Sequence, residues 1–183
     1  MSLPAHPAFV HFPITTTLLT GGLDAFYFFY KYPATSSAVA SICKTPCTDN
    51  CSSDKTLDIK LAPQLFPFFS YYLTILTIAF SVPAVMTGAS QLMPLIKRDG
   101  LNSRKAKMAI AHAAINDVTV VTAALNWWTR RSRPMFEPTS TNILASCVLA
   151  LPATLFAAHL GGKLVYNYGM GFTGAQAKAK KSQ

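Results

Sequence analysis

Four side chains in this sequence have the chemistry to hold a cofactor, and all four are histidines: His6, His11, His112 and His159. His159 stands in an apolar run and is followed by Gly161-Gly162, with Lys163 one helical turn further on and Tyr166 after it. An imidazole in such a run needs a reason, because ionisable groups inside membrane segments are costly and mark function or a bonded partner. Paired glycines allow a flat or bulky group to approach the backbone. His112 has a similar setting, with Met108 and Lys105 one and two turns away on nearly the same face and Arg104 beside them.

Each of these two helices thus carries an imidazole with a cation nearer the interface. A haem b uses that arrangement: two axial imidazoles in an apolar slot and cations for its propionates. The spacing makes His112 and His159 the first-choice axial pair, with His11 as an alternative ligand and His6 and His11 at the pocket mouth. Lys163, Lys105 and Arg104 then stand near the propionates. A second reading keeps the histidines and replaces haem by zinc, copper or iron held directly by His112, His159 and His11. A third leaves the histidines as hydrogen-bonding residues of a cofactor-free structural or assembly protein. The sequence carries no P-loop, nucleophile elbow or dinucleotide fingerprint, so no motif assigns a reaction.

The elements that position these residues follow from composition. The chain has 183 residues, 51% hydrophobic and 13% charged, against about 25% charged in soluble domains. Its apolar residues fall into four blocks: Pro13 to Tyr32, Leu65 to Ile96, Lys105 to Trp128 and Ile143 to Tyr168. Each approaches or exceeds the ~20 residues that cross a bilayer. The expected fold is all-α, an integral membrane four-helix bundle with four transmembrane helices. Residues 1–12 form an interfacial lead, with Pro13 at the helix start. Pro67, Pro83 and Pro94 predict a kinked second helix. In this order His112 lies roughly 10 Å and His159 roughly 13 Å from the side that holds both termini, at 1.5 Å per helical residue.

Charge placement gives orientation. Lys97, Arg98, Arg104, Lys105, Lys107, Lys163, Lys178, Lys180 and Lys181 fall on the terminal side, and Lys31, Lys44, Lys55, Lys60, Arg130, Arg131 and Arg133 on the other. The bias favours cytosolic termini. The basic tail, residues 169–183, ends Lys180-Lys181-Ser182-Gln183, similar to a dilysine retrieval signal of endoplasmic-reticulum membrane proteins, and equally suits attraction to anionic lipid. The net charge of +9 belongs to these interfaces, and no aromatic-interleaved basic surface suggests nucleic acid. The extramembrane loop 33–62 holds Cys43, Cys47 and Cys51, which allow a disulfide with one thiol to spare. Cys147 reads as a small buried hydrophobe. Asp117 and Asp24 fall at membrane depth and are expected inside the bundle, in a structural polar cluster with Thr15, Thr16, Thr20 and Asn126 in preference to a proton path through the two acids. Alanine-rich and glycine-rich faces would also serve a homo-oligomer.

The opening His6-Pro7-Ala8-Phe9-Val10-His11-Phe12-Pro13-Ile14 resembles that of the membrane family catalogued as domain of unknown function 2231. The histidine of the third helix and the closing Gly161-Gly162-Lys163-Leu164-Val165-Tyr166 and Tyr168-Gly169-Met170-Gly171 look like its remaining marks. The resemblance covers the four spans and leaves out the cysteine-bearing loop and the tail. Similar bacterial proteins are joined to Rieske iron-sulfur or cytochrome c domains, which implies work near electron transfer. This chain would then need a separate redox partner protein.

Overall fold

The computed structural model describes residues 5–36 and 65–170. The expectations for Cys43, Cys47, Cys51 and the dilysine-like tail fall outside these residues. The described chain is all-helical, with no strand among the described residues. Helix α1 is Ala5–Lys31, α2 is Phe66–Asp99 and α3 is Arg104–Arg130. After a 3-10 turn at Pro134–Phe136, α4 runs as Ser140–Leu144, a π-helical stretch Ala145–Ala150, and Leu151–Tyr166.

Local chemistry sets the ends. Gly100 (φ 76°) donates its N–H to Ile96 O at 2.9 Å to close α2. Ser103 then caps α3 by accepting the Ala106 N–H at 3.1 Å, so α2 and α3 form a tight hairpin. Thr139 and Asn142 form a reciprocal capping box at the start of α4. At its far end Gly169 (φ 63°) takes the left-handed conformation and donates its N–H to Val165 O at 3.0 Å. That turn aims Tyr168 O at Lys105, whose ammonium donates to it at 3.0 Å.

The packing is arranged for lipid. The buried set is dominated by Thr16, Thr17, Thr20, Ser70, Thr74, Thr77, Ser81, Thr119, Thr122, Asn126, Asn142, Ser146 and Thr154, together with Asp24 and Arg130. Large apolar side chains such as Leu76, Val82, Val121, Leu125, Val148 and Leu155 point outward. Without water to drive apolar burial, helices associate through close packing and interhelical hydrogen bonds, so hydroxyls go inward and Leu, Val and Phe face acyl chains. Thr77 donates to Thr16 at 2.7 Å and Asn142 to Asn126 at 2.7 Å across helix pairs.

Three helices are long and apolar enough to cross a membrane: Phe66–Asp99, Arg104–Arg130 and Pro134–Tyr166. Helix α1 is not among them, because threonines, glycines and Asp24 dilute its apolar character. The structure also moves its start. The residues read as an interfacial lead are helical from Ala5, and Pro13 sits inside α1 instead of opening it. Proline lacks an N–H and forfeits one backbone bond, while the Thr16 hydroxyl bonds back to Phe12 O at 3.0 Å and Pro13 O at 3.3 Å around that position. Two further placements differ. Arg130, counted above with the loop charges, is fully buried. Asp117, expected inside the bundle, is exposed on the outer face of α3.

Candidate functional site

The structure brings together two of the four histidines, His6 and His112. Their rings stand 6.4 Å apart, centroid to centroid, with planes at 86°. His6 Nδ1 lies 3.0 Å from Ala84 O and 3.2 Å from Thr87 Oγ1 on α2. His112 Nδ1 lies 2.8 Å from Ala157 O on α4. A ring nitrogen facing a carbonyl carries the proton, which leaves Nε2 of each imidazole as the basic, ligating nitrogen. The Asn116 side-chain amide, 3.1 Å from His112 Nε2, caps that lone pair and also donates to His112 O at 2.9 Å.

Glycines make these seats possible. A Cβ on Gly88 would lie 3.0 Å from His6 Cε1, and one on Gly161 would lie 3.0 Å from His112 Cε1. Gly162, the other member of the pair singled out in the sequence, would meet nothing within 4 Å. The close approach therefore belongs to Gly161, and what it admits is an imidazole from the neighbouring helix.

The two hairpins repeat one another. His6 meets Ala84 O and Gly88 in the first as His112 meets Ala157 O and Gly161 in the second. The same sequence offset relates Asp24 to Arg130, which are 106 residues apart and form a fully buried ion pair. Arg130 Nη1 donates to both Asp24 carboxylate oxygens at 3.3 Å. Its Nη2 donates to Pro67 O at 3.0 Å and Ser70 Oγ at 2.7 Å, and its Nε to Phe136 O at 2.9 Å. Ser146 completes the Asp24 shell at 2.8 Å. A buried guanidinium is tolerated when its fork is filled in this way. Sequence reading missed Arg130; the shared offset from His6/His112, carrying opposite charges at the next equivalent polar position, was the signal available. Of the cluster foreseen around Asp24, Thr16, Thr20 and Asn126 are buried and Thr15 is exposed.

The remaining candidates lie elsewhere. His159 is on the exposed side of α4, its ring stacked on Phe156 at 6.5 Å, and does not join His112. His11 is on the exposed side of α1, and Lys163 and Arg104 are exposed at the terminal end of the bundle. Lys105 is half-buried at that end. Among the described residues no three of His, Cys, Asp or Glu are grouped as a metal ion would need, so a bare zinc, copper or iron site lacks its ligand set. Cys147 is half-exposed and donates to Gly21 O at 3.3 Å.

At the opposite end, Glu137 receives a salt bridge from Lys31 at 2.8 Å and a short hydrogen bond from the Tyr27 hydroxyl. Arg131 lies 3.3 Å over the Trp128 ring, a cation–π contact in the aromatic zone where helices meet headgroups.

These features define an all-α membrane protein with an apolar exterior and a hydrogen-bonded polar interior. The family model described as predicted membrane protein (DUF2231) matches residues 2–174, and the chain belongs to that family. No curated protein and no solved structure matches it.

Proposed function

We propose that this protein is a membrane-embedded electron-transfer protein that holds one haem b between His6 and His112, near the face that carries the chain termini. The observation that carries this reading is the pair of perpendicular imidazoles 6.4 Å apart, each anchored through Nδ1 to a helix carbonyl. At the ~2 Å metal–nitrogen distance of imidazole ligands, two rings on opposite sides of one metal stand about 6 Å apart, centroid to centroid. Among the described residues the two imidazoles have no third His, Cys, Asp or Glu grouped with them, a donor set that suits a haem better than a bare ion. A haem supplies one-electron chemistry within the bilayer.

The chain's own residues do the rest. Carbonyl-bound Nδ1–H groups fix tautomer and ring orientation and raise the basicity of Nε2. The Asn116 amide, 3.1 Å from His112 Nε2, would give up that contact if His112 held a haem. Lys105, with Arg104 and Lys163 at the same end, supplies cations for propionates. Donor and acceptor are separate redox proteins.

The same reading makes α1 the fourth span. Its 27 residues reach about 40 Å at 1.5 Å each, and its polar residues Thr16, Thr17, Thr20 and Asp24 face the bundle instead of lipid. Removing buried Arg130 from the far-side charges strengthens the bias toward cytosolic termini, and the dilysine-like tail fits an endoplasmic-reticulum location.

The test is an absorption spectrum of full-length protein expressed with haem supplied, oxidised and then dithionite-reduced. A low-spin Soret with resolved α and β bands, lost in both His6→Ala and His112→Ala and retained in His159→Ala, is the expected result. A colourless wild type purified under conditions that retain haem, or a pigment indifferent to His6 and His112, refutes the assignment and leaves the imidazoles as interhelical clamps.

A further inference from the structure

The two ends of the bundle spend their cations differently. At the end opposite the chain termini, every basic side chain of the described residues is engaged within the chain. Arg130 is buried against Asp24, and Lys31 pairs with Glu137 at 2.8 Å. Arg133 Nε donates to Glu137 O at 2.9 Å, and Arg131 lies 3.3 Å over the Trp128 ring. At the terminal end Arg98 pairs with Asp99 at 2.6 Å and Lys105 donates inward to Tyr168 O at 3.0 Å. Lys97, Arg104, Lys107 and Lys163 are exposed at that end. Among the described residues no hydrogen bond or ion pair engages these four, and Asp99 is the only acid beside them.

The four cations continue the lipid-facing stripes of three helices. On α3 the exposed residues Leu125, Val121, Val118, Ala114 and Ala111 run toward the terminal end at helical spacing, and the same spacing leads on to Lys107 and Arg104. The exposed stripe of α2 runs through Val82, Met86 and Met93 to Lys97. That of α4 runs through Val148 and Phe156 to Lys163. An acyl chain lying along any of these stripes brings its headgroup to an unpaired ammonium or guanidinium. In the other direction the α3 stripe ends on Trp128, whose ring already holds Arg131.

We propose that the terminal end of the bundle binds anionic phospholipids, their headgroups on Lys97, Arg104, Lys107 and Lys163, while the opposite end takes lipid without regard to charge. Charge complementarity calls for an anion, and the stripes select a lipid over an acidic soluble protein. A cation that continues a lipid-facing stripe stands on the flank of the bundle, where its stem covers apolar surface and its head reaches the headgroup layer. Lys97 and Lys107 take no part in the haem reading, so the test rests on them and is independent of it.

The experiment is electron paramagnetic resonance of the full-length protein in phosphatidylcholine vesicles. One sample carries a trace of spin-labelled phosphatidylserine and a parallel one spin-labelled phosphatidylcholine. The motionally restricted fraction of each label gives its relative association with the protein surface. Phosphatidylserine is expected to be favoured about fivefold at the terminal end, which averages to about threefold over both leaflets at low salt. The preference should fade at about 1 M salt. Lys97→Gln/Lys107→Gln, which removes two of the four cations, should lose about half of it, and Arg131→Gln at the opposite end should leave it unchanged. Circular dichroism verifies that these surface variants keep their helices. A preference that survives the double variant, or that Arg131→Gln reduces as much, overturns the proposal. Equal association of the two lipids with wild type also overturns it, and gives the four cations to an acidic soluble partner instead.

Discussion

Arg130 offers the sharpest test of how this bundle is held together. It is fully buried and joins α1 through Asp24, α2 through Pro67 and Ser70, and the turn before α4 through Phe136 O. Neutral interhelical hydrogen bonds in membranes average about 0.6 kcal/mol, because the unfolded chain in lipid finds other partners. Removing one member of a buried ion pair is a larger event, about 3–5 kcal/mol, because the remaining charge stays buried and uncompensated. Arg130→Ala should therefore destabilise by about 3–5 kcal/mol, far beyond any single threonine in the interior. Asp24→Asn should cost a similar amount, since it leaves the Arg130 guanidinium buried without its counter-charge even though three of its bonds do not involve Asp24. Arg130→Lys keeps the charge but loses the planar fork that reaches Pro67, Ser70 and Phe136 together. It should behave closer to alanine than to wild type. The double variant Asp24→Asn/Arg130→Ala should cost less than the sum of its single changes, because neither partner is left charged and alone. Reversible unfolding in mixed micelles, followed by helical circular dichroism, gives all four values. A lysine variant within about 0.5 kcal/mol of wild type, or strict additivity in the double variant, would refute the reasoning.

The glycine pair separates by neighbour: Gly161→Ala should displace His112 and lower stability or pigment, whereas Gly162→Ala, meeting nothing within 4 Å, should be neutral or stabilise by up to about 1 kcal/mol through helix propensity. The same micelle titration and the spectrum read both. Met135 is exposed and held at φ 50°, so Met135→Gly should relieve roughly 1 kcal/mol of left-handed strain, seen as a higher unfolding midpoint; an unchanged or lower midpoint would count against it. Glu137→Gln removes the Lys31 ion pair, whose two side chains are well exposed, and should cost about 1 kcal/mol or less in the same micelle titration; a larger loss would count against the pair being a surface contact.

The helices themselves were legible because membrane spans announce themselves by unbroken apolar length, and α2, α3 and α4 begin and end within a few residues of the blocks read from sequence. The start of α1 was not, because Pro13 satisfies the rule for a first-turn proline equally well when a helix simply runs through it. The histidine site was half legible. Periodicity assigns a residue to a face of its own helix, but whether that face looks inward depends on neighbours that sequence does not show. His112 faces inward and His159 outward, although their local surroundings, an imidazole with a cation one or two turns on, read alike. Asp117 and Arg130 failed for the same reason in opposite directions. Hydropathy assigned the mid-helix acid to the interior and the terminal arginine to the interface, and packing reversed both.

What orders these placements is the repetition of one hairpin. A carbonyl-anchored imidazole near the terminal face and, at one and the same spacing further along the helix, a charged group recur in α1 and α3, at His6 and Asp24 and again at His112 and Arg130. Identical imidazoles at equivalent positions are brought together as a pair. Equivalent positions bearing opposite charges become a pair that neutralises itself in a medium of low dielectric. If both equivalent positions carried Asp, or both Arg, two like charges would be buried together at a site that could not hold them. Asp24→Arg in the wild-type background should therefore abolish folding outright, whereas His6→Ala should leave a folded bundle with one imidazole in place of the pair. Unfolding titrations of these two variants side by side separate the ion-paired half of the repeat from the imidazole-bearing half. A folded Asp24→Arg variant would show that the ion pair does not organise the interior.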